Sequence, residues 1–271
     1  MTTEPEDTPM RDTASETRSP AGIITGDRSV GREEMEARID KVAGALKAKG
    51  LGEGQIVAQL MRNDTPIIEV NVGARRVGCY SVPLNWHLAA PEIQFLLEDS
   101  GAEVLVAHAD LLRPVRDLVP EGCEVIVVET PPSIQDAFRL DPADCMVPEG
   151  EKNYEDWIAA AEPHAGANPA DRGVIIYTSG TTGKPKGVMR DPMTPEETRR
   201  NAKVFRDTIG IAPDMRGLIA TPLYHASPNG FARYAATQGE LLVITPRFDA
   251  EQFLALIEKH RINVIVAVPT I

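Results

Sequence analysis

Cysteine is scarce in this chain of 271 residues, and its placement argues against cross-linking. Cys79, Cys123 and Cys145 are odd in number, far apart and free of C-x-x-C spacing. A disulfide framework or a zinc site is therefore not expected, no protein-held metal is assigned, and a reducing, cytoplasmic setting fits best. Basic charge is also short: 28 Lys and Arg face 40 Asp and Glu, giving a net charge of -12. Most of the surface should repel phosphate backbones and anionic headgroups, so nucleic acid is not expected as a partner. No stretch is apolar for long enough to span a bilayer, and Met1 to Pro20 lacks the apolar centre of a secretory signal. Any membrane contact would be peripheral. Aromatic residues make up only 5%, which beside an aliphatic-rich composition is ordinary for a soluble α/β protein.

The organisation is regular after a polar start. Residues 1–25 have too little hydrophobicity to offset the entropy of ordering and are expected to be a disordered tail, with structure beginning near Gly26. From Arg32 to Lys49, Met35, Ile39, Val42, Ala43 and Leu46 recur at helical spacing before Gly50. A strand is expected at Gln55 to Met61, and Asn63-Asp64-Thr65-Pro66 can start the next helix. The rhythm continues with a helix at Pro91 to Ser100, a strand at Glu103 to Ala107, a helix near Asp110 to Leu118 and a strand at Glu124 to Val128. Such alternation predicts mainly parallel sheets flanked by helices.

Residues 130–171 turn to Pro, Asp, Glu, Ala and Gly around one short helix at Tyr154 to Ala161, which suggests a long surface connection or a subdomain boundary. Beyond it come a strand at Val174 to Tyr177 and a capping box at Thr194 to Glu197, opening a helix to about Thr208. Strands follow at Gly217 to Ala220, Glu240 to Ile244 and Asn263 to Val268, with a helix at Asp249 to His260. The last run is built for burial with nothing after it, so residues 26–271 are expected to be an incomplete domain.

The chemistry is concentrated in Tyr177-Thr-Ser-Gly-Thr-Thr-Gly-Lys-Pro-Lys-Gly187. Gly180 and Gly183 let backbone N–H groups approach an anion, while Thr178, Ser179, Thr181 and Thr182 can each donate to a phosphate oxygen. Lys184 and Lys186 add positive charge. The string is not a Walker loop, because Lys184 is followed by Pro185 and Thr178 stands where the first glycine would be. Taken as composition alone it would be a solvated turn; as an ordered string it is a phosphate wrap, with the triphosphate of ATP as its expected ligand.

Every position from Tyr177 to Gly187 resembles the phosphate-loop signature of the adenylate-forming superfamily, which includes acyl-CoA synthetases, luciferases and peptide-synthetase adenylation domains. Gly78 to Asn85 and Glu92 to Val106 resemble the family's segment ahead of that loop. Pro222-Leu-Tyr-His225 matches its second motif, and Pro246-Arg-Phe-Asp249 and Val268-Pro-Thr270 fall in family order.

The resemblance, over about residues 26 to 271, implies the N-terminal part of the adenylate-forming fold, with the C-terminal lid domain absent. It implies an acid-thiol ligase, an acyl-CoA synthetase, acting with ATP and Mg2+ on a fatty, aryl or steroid-like carboxylic acid and coenzyme A. In that scheme Thr178 to Lys184 and Lys186 hold the β- and γ-phosphates, and His225 lies near the α-phosphate and the acyl pocket. Asn229, Gly230 and Phe231 begin the helix that lines the pocket, though simple helix packing explains them equally well. His87 and His108 are read as structural, and Cys79 as a buried small hydrophobe. Two departures stand out. Met189 to Pro192 replaces the usual histidine after the loop, and the family's adenine, magnesium, ribose and C-terminal lysine motifs find no match here. A truncated chain, inactive alone, is therefore expected; the alternatives are a non-catalytic ATP-binding or interaction module, and an adenylation domain serving a carrier protein.

Overall fold

The computed structural model describes residues 21–178 and 185–269. The chain opens with a hairpin, β1 (Gly22–Thr25) and β2 (Arg28–Gly31), and then α1 (Arg32–Ala48), β3 (Ile56–Leu60), α2 (Thr65–Arg76) and β4 (Tyr80–Pro83). Next come α3 (Ala90–Ser100), β5 (Val104–His108), α4 (Ala109–Leu112) running into a 3-10 turn, and β6 (Glu124–Val128). Short elements follow: α5 (Pro132–Phe138), α6 (Pro142–Cys145), β7 (Lys152–Asn153) and α7 (Tyr154–Ala159). The last third holds β8 (Ile176–Thr178), β9 (Lys186–Val188), α8 (Pro195–Ile209), β10 (Arg216–Ile219), α9 (Ala226–Gln238), β11 (Leu241–Ile244), α10 (Ala250–His260) and β12 (Val264–Val266).

Two five-stranded sheets result. One is parallel throughout in the order β4-β3-β5-β6-β7; the other runs β12-β10-β11-β1-β2, with only the β1–β2 pair antiparallel. Side chains alternate across each strand, and the alternation sorts them into layers. Val57, Val104 and Val106 of the first sheet and Leu242 and Ile244 of the second meet α1, α2 and α9 in one shared core. The opposite face of the first sheet, with Ala58 and Leu105, packs on Leu96 and Leu97 of α3. The opposite face of the second, with Leu241 and Val243, packs on Phe253 of α10. The molecule is thus five layers, helices outside and between two sheets, which is why its strands read as continuous apolar runs.

Two expectations need correction. Gly22–Thr25, assigned to the tail, is already a strand, because Gly26-Asp27 is the two-residue turn of the first hairpin, and Gly26 takes the positive φ of 61° that such turns require. The assigned tail therefore extends no further than residue 21, and residues 1–20 lie outside the described residues. Residues 130–171, expected as a long surface connection or a subdomain boundary around one short helix, carry that helix as α7 against α1 and in addition supply α5, α6 and β7, the last at the edge of the first sheet. The chain beyond α7 is held on α1 as well, where the His164 N–H donates to the Asp40 carbonyl at 2.9 Å. Among the described residues no helix is long and apolar enough to cross a membrane.

Candidate functional site

The phosphate-loop segment enters along the edge of the first sheet. The Ile175 N–H donates to the Ser81 carbonyl of β4 at 2.9 Å, and β8 then pairs with β9 as an antiparallel hairpin. Thr178 and Lys186 are opposite one another at the mouth of that hairpin, both exposed. Ser179, Gly180, Thr181, Thr182, Gly183 and Lys184 lie outside the described residues. The stem is fastened from several sides. The Tyr177 hydroxyl donates to Asp99 Oδ2 at 2.7 Å, and burial followed by that bond pushes its pKa up, so it keeps its proton. A side chain on Gly187 would place its first carbon 3.0 Å from the Tyr177 ring, so glycine lets the two strands close. Past the hairpin, the Tyr80 hydroxyl donates to the Arg190 carbonyl at 2.7 Å.

The second motif is held by a buried side chain that carried no signal in the sequence. Asn63, between β3 and the cap of α2, donates through Nδ2 to the carbonyls of Thr221 (3.0 Å) and Thr245 (3.1 Å), beyond the ends of β10 and β11. Its Oδ1 accepts from the Leu223 N–H at 2.8 Å. One amide thus ties the two strand ends to the residue two places before His225. A second chain of bonds runs from Asn71 Nδ2 to Asn229 Oδ1 (2.7 Å) and from Asn229 Nδ2 to the Leu223 carbonyl (2.9 Å), fixing α9 against α2.

His225 is the N-cap of α9, and its ring lies 4.3 Å from that of Tyr224. Tyr224 in turn meets Trp86 and His87, each at 6.4 Å, and these two stack on each other at 3.6 Å. Arg62 lies over Trp86 (4.9 Å) and Phe138 (4.6 Å) and pairs with Asp110. Burial first, and then the charge of His87, hold the His225 pKa below the ordinary histidine range. The imidazole is therefore neutral near pH 7 and able to donate or accept. His87, read from sequence as structural, is a neighbour of the site; only tertiary contact reveals it. His108 is structural: buried, it accepts the Arg62 N–H on Nδ1 (3.1 Å) and lies 3.3 Å from Asp64, whose carboxylate caps α2.

Between the hairpin, α8 and α9 lies a cavity of about 380 Å3. Thr178, Asn229 and Gly230 all line it. Phe231 does not: it points into the shared core against Gly217 of β10, because it is one position round the helix from Gly230. His225 stands at the N-terminal end of the same helix, next to the cavity-lining Ala226.

The sequence profile described as "AMP-binding enzyme" matches residues 10–271. The chain is 32% identical over 238 residues to the long-chain-fatty-acid–CoA ligase FadD13 of Mycobacterium tuberculosis, covering 88% of this chain and 44% of that protein. It is 30% identical over 254 residues to the indoleacetate–CoA ligase of Aromatoleum aromaticum, covering 90% and 45%. The O-succinylbenzoate coenzyme A synthetase MenE of Bacillus subtilis, solved with ATP and magnesium, superposes with a TM-score of 0.70 at 25% identity, covering 93% of this chain and 47% of that one. The chain thus spans about half the length of the curated relatives it matches.

Proposed function

The chain belongs to the AMP-binding enzyme family, and on that premise we propose that it is the phosphate-binding half of an acyl-CoA synthetase. The carboxylate oxygen of the acid attacks the α-phosphorus of ATP, the bond to the bridging oxygen breaks, and pyrophosphate leaves. The thiolate of coenzyme A then attacks the acyl carbonyl and AMP departs. The observation that carries this reading is the shared cavity: Thr178, which starts the phosphate loop, and Asn229 and Gly230, which start the helix of the second motif, line one space.

The protein's part is positioning and charge compensation rather than covalent chemistry. Thr178 to Lys184 and Lys186 hold the β- and γ-phosphates and offset the charge that gathers on departing pyrophosphate. The neutral imidazole of His225 donates to the acid's carboxylate or to the α-phosphate, and Asn63 and Asn229 keep it there. Mg2+, when bound with the nucleotide, would add positive charge against the phosphates and help offset the charge on departing pyrophosphate. Among the described residues no cluster of three His, Cys, Asp or Glu side chains forms a cage, but nucleotide-bound Mg2+ needs only one or two carboxylates beside phosphate and water.

The acid is proposed to be a fatty, aryl or comparable acid with an apolar body, in line with the named relatives. A cavity of about 380 Å3 is near the small end of ligand sites. A cytoplasmic setting belongs to the same proposal, supported by three free cysteines. Because the chain spans about half of its relatives, the complete reaction is assigned to the whole protein and not to this segment alone. Carboxylate-dependent ATP–pyrophosphate exchange by the whole protein, against a panel of fatty, aryl and steroid acids, tests it. Exchange with at least one acid is expected; a folded protein silent with all of them overturns the assignment.

A further inference from the structure

The cavity is a positive island in an acidic protein. Arg75, Arg172, Arg190 and Arg233 line it against Asp171 and Asp191, while the chain as a whole carries -12. Most of this charge is already matched: Arg75 pairs with Asp171, and Arg172 donates to Glu53 at 2.8 Å. Arg190 and Asp191 lie on the exposed rim. Arg233 is different. Its guanidinium is 4.0 Å from the ring of the adjacent Tyr234, and among the described residues no carboxylate pairs with it. Burial first, then the charge of Arg233, lower the pKa of Arg75 to about 9, so Arg75 remains a cation at neutral pH.

Placement gives this free cation a geometry. Ala226, Asn229, Gly230 and Arg233 recur at i, i+3, i+4 and i+7 and all line the cavity, so they form one stripe of α9. At 1.5 Å per residue, Arg233 is about 10 Å along the helix from Ala226. Ile176 and Val188 of the hairpin and Phe205 of α8 add apolar lining to the same cavity. The cavity therefore offers a reacting end beside His225, apolar lining from Ile176, Val188 and Phe205, and a half-buried guanidinium in want of an anion.

We propose that Arg233 is a specificity residue that binds a second, distal anionic group on the acid, so the preferred substrates are acids with a carboxylate at each end of an apolar segment. This deepens the adenylation assignment and rests on it for the reacting end only. A guanidinium takes a carboxylate through two parallel N–H donors, a strong and orientation-dependent contact.

The test compares octanedioate with octanoate in ATP–pyrophosphate exchange by the whole protein, in the wild type, Arg233→Gln and Arg233→Lys. Octanedioate is expected to have about tenfold the kcat/KM of octanoate, the effect of one charge-assisted contact. Arg233→Gln collapses that ratio and Arg233→Lys restores part of it. A preference for octanoate, or equal losses on both acids in Arg233→Gln, overturns the proposal. Calorimetric titration of the chain with octanedioate, without ATP, separates the two assignments. Binding that disappears in Arg233→Gln upholds the distal site even where no acid drives exchange; binding that is absent from the wild type, or survives in Arg233→Gln, removes it.

Discussion

α8 closes one side of the cavity without burying a side chain, and β9 beside it is exposed along its whole length. α9, on the other side, buries Pro228, Asn229, Phe231, Ala232, Tyr234 and Ala235 and is tied down by Asn63, Asn71 and Asn229. One wall is mostly exposed, with Phe205 its main contact to the core; the composition of the other is set by what it packs against. Substitutions on the first should therefore show in ligand handling at nearly constant stability, and substitutions on the second in both.

The largest effect is expected from Asn63→Leu. It strands the carbonyls of Thr221 and Thr245 and the N–H of Leu223 in a buried place, at about 1–3 kcal/mol for each unsatisfied group and with imperfect additivity. Urea unfolding should show a loss of about 3 kcal/mol or more, and exchange should fall with it; a loss under about 1 kcal/mol would mean that the α9 wall stands without its clamp. Next in size are Lys186→Ala and Thr178→Ala, at exposed positions of the hairpin mouth. Their unfolding free energies should stay within about 0.5 kcal/mol of the parent, while exchange slows by about tenfold or more. Lys184→Ala and Thr181→Ala are expected to behave alike. Midpoints that move as far as that of Asn63→Leu would erase the distinction between the walls.

The smallest effect is on pH dependence. The folded-state pKa values of His225 and His260 are both lowered, by burial first and then by cationic neighbours. As pH falls through the ordinary histidine value of about 6.5, the unfolded chain takes up these protons before the folded one does. Stability contributed by the two groups is therefore complete above that value and lost below it. In His87→Gln the His225 pKa should rise, as followed by NMR titration of the imidazole; a value that stays put would show that the two rings do not sense each other.

What was legible in the sequence follows the same division. The loop string, the capping box of α8, seen in Thr194 and Glu197 exchanging bonds at 3.2 and 2.8 Å, and the periodic faces of α1 and α10 are local signals, readable because each depends on neighbours in the chain. The strands β3, β5, β6 and β11 announced themselves as apolar runs for the same reason. What was missed is non-local. β1 is four residues long, and its turn, Gly26-Asp27, becomes meaningful only once β11 is known to lie beside it. β4 and β7 are short strands completed by a partner already in place. Asn63 reads as an ordinary residue at the start of a helix, and His87 as a structural ring beside a tryptophan; both matter because distant segments converge on Pro222 to His225.

The placement of β1 also bears on the order in which the molecule can be assembled. Strands β3 to β7 follow one another in the chain, so the first sheet can be completed before the last third has left the ribosome. β1, made earliest, pairs in parallel with β11, more than two hundred residues later. Until β11 emerges, the opening hairpin has two of its edges bare, and the closure that covers one of them is among the most distant contacts in the fold. Such contacts slow folding far more than they weaken the finished structure. The second sheet should therefore be the late and vulnerable step, in which a nascent chain is most open to mispairing and to capture by chaperones.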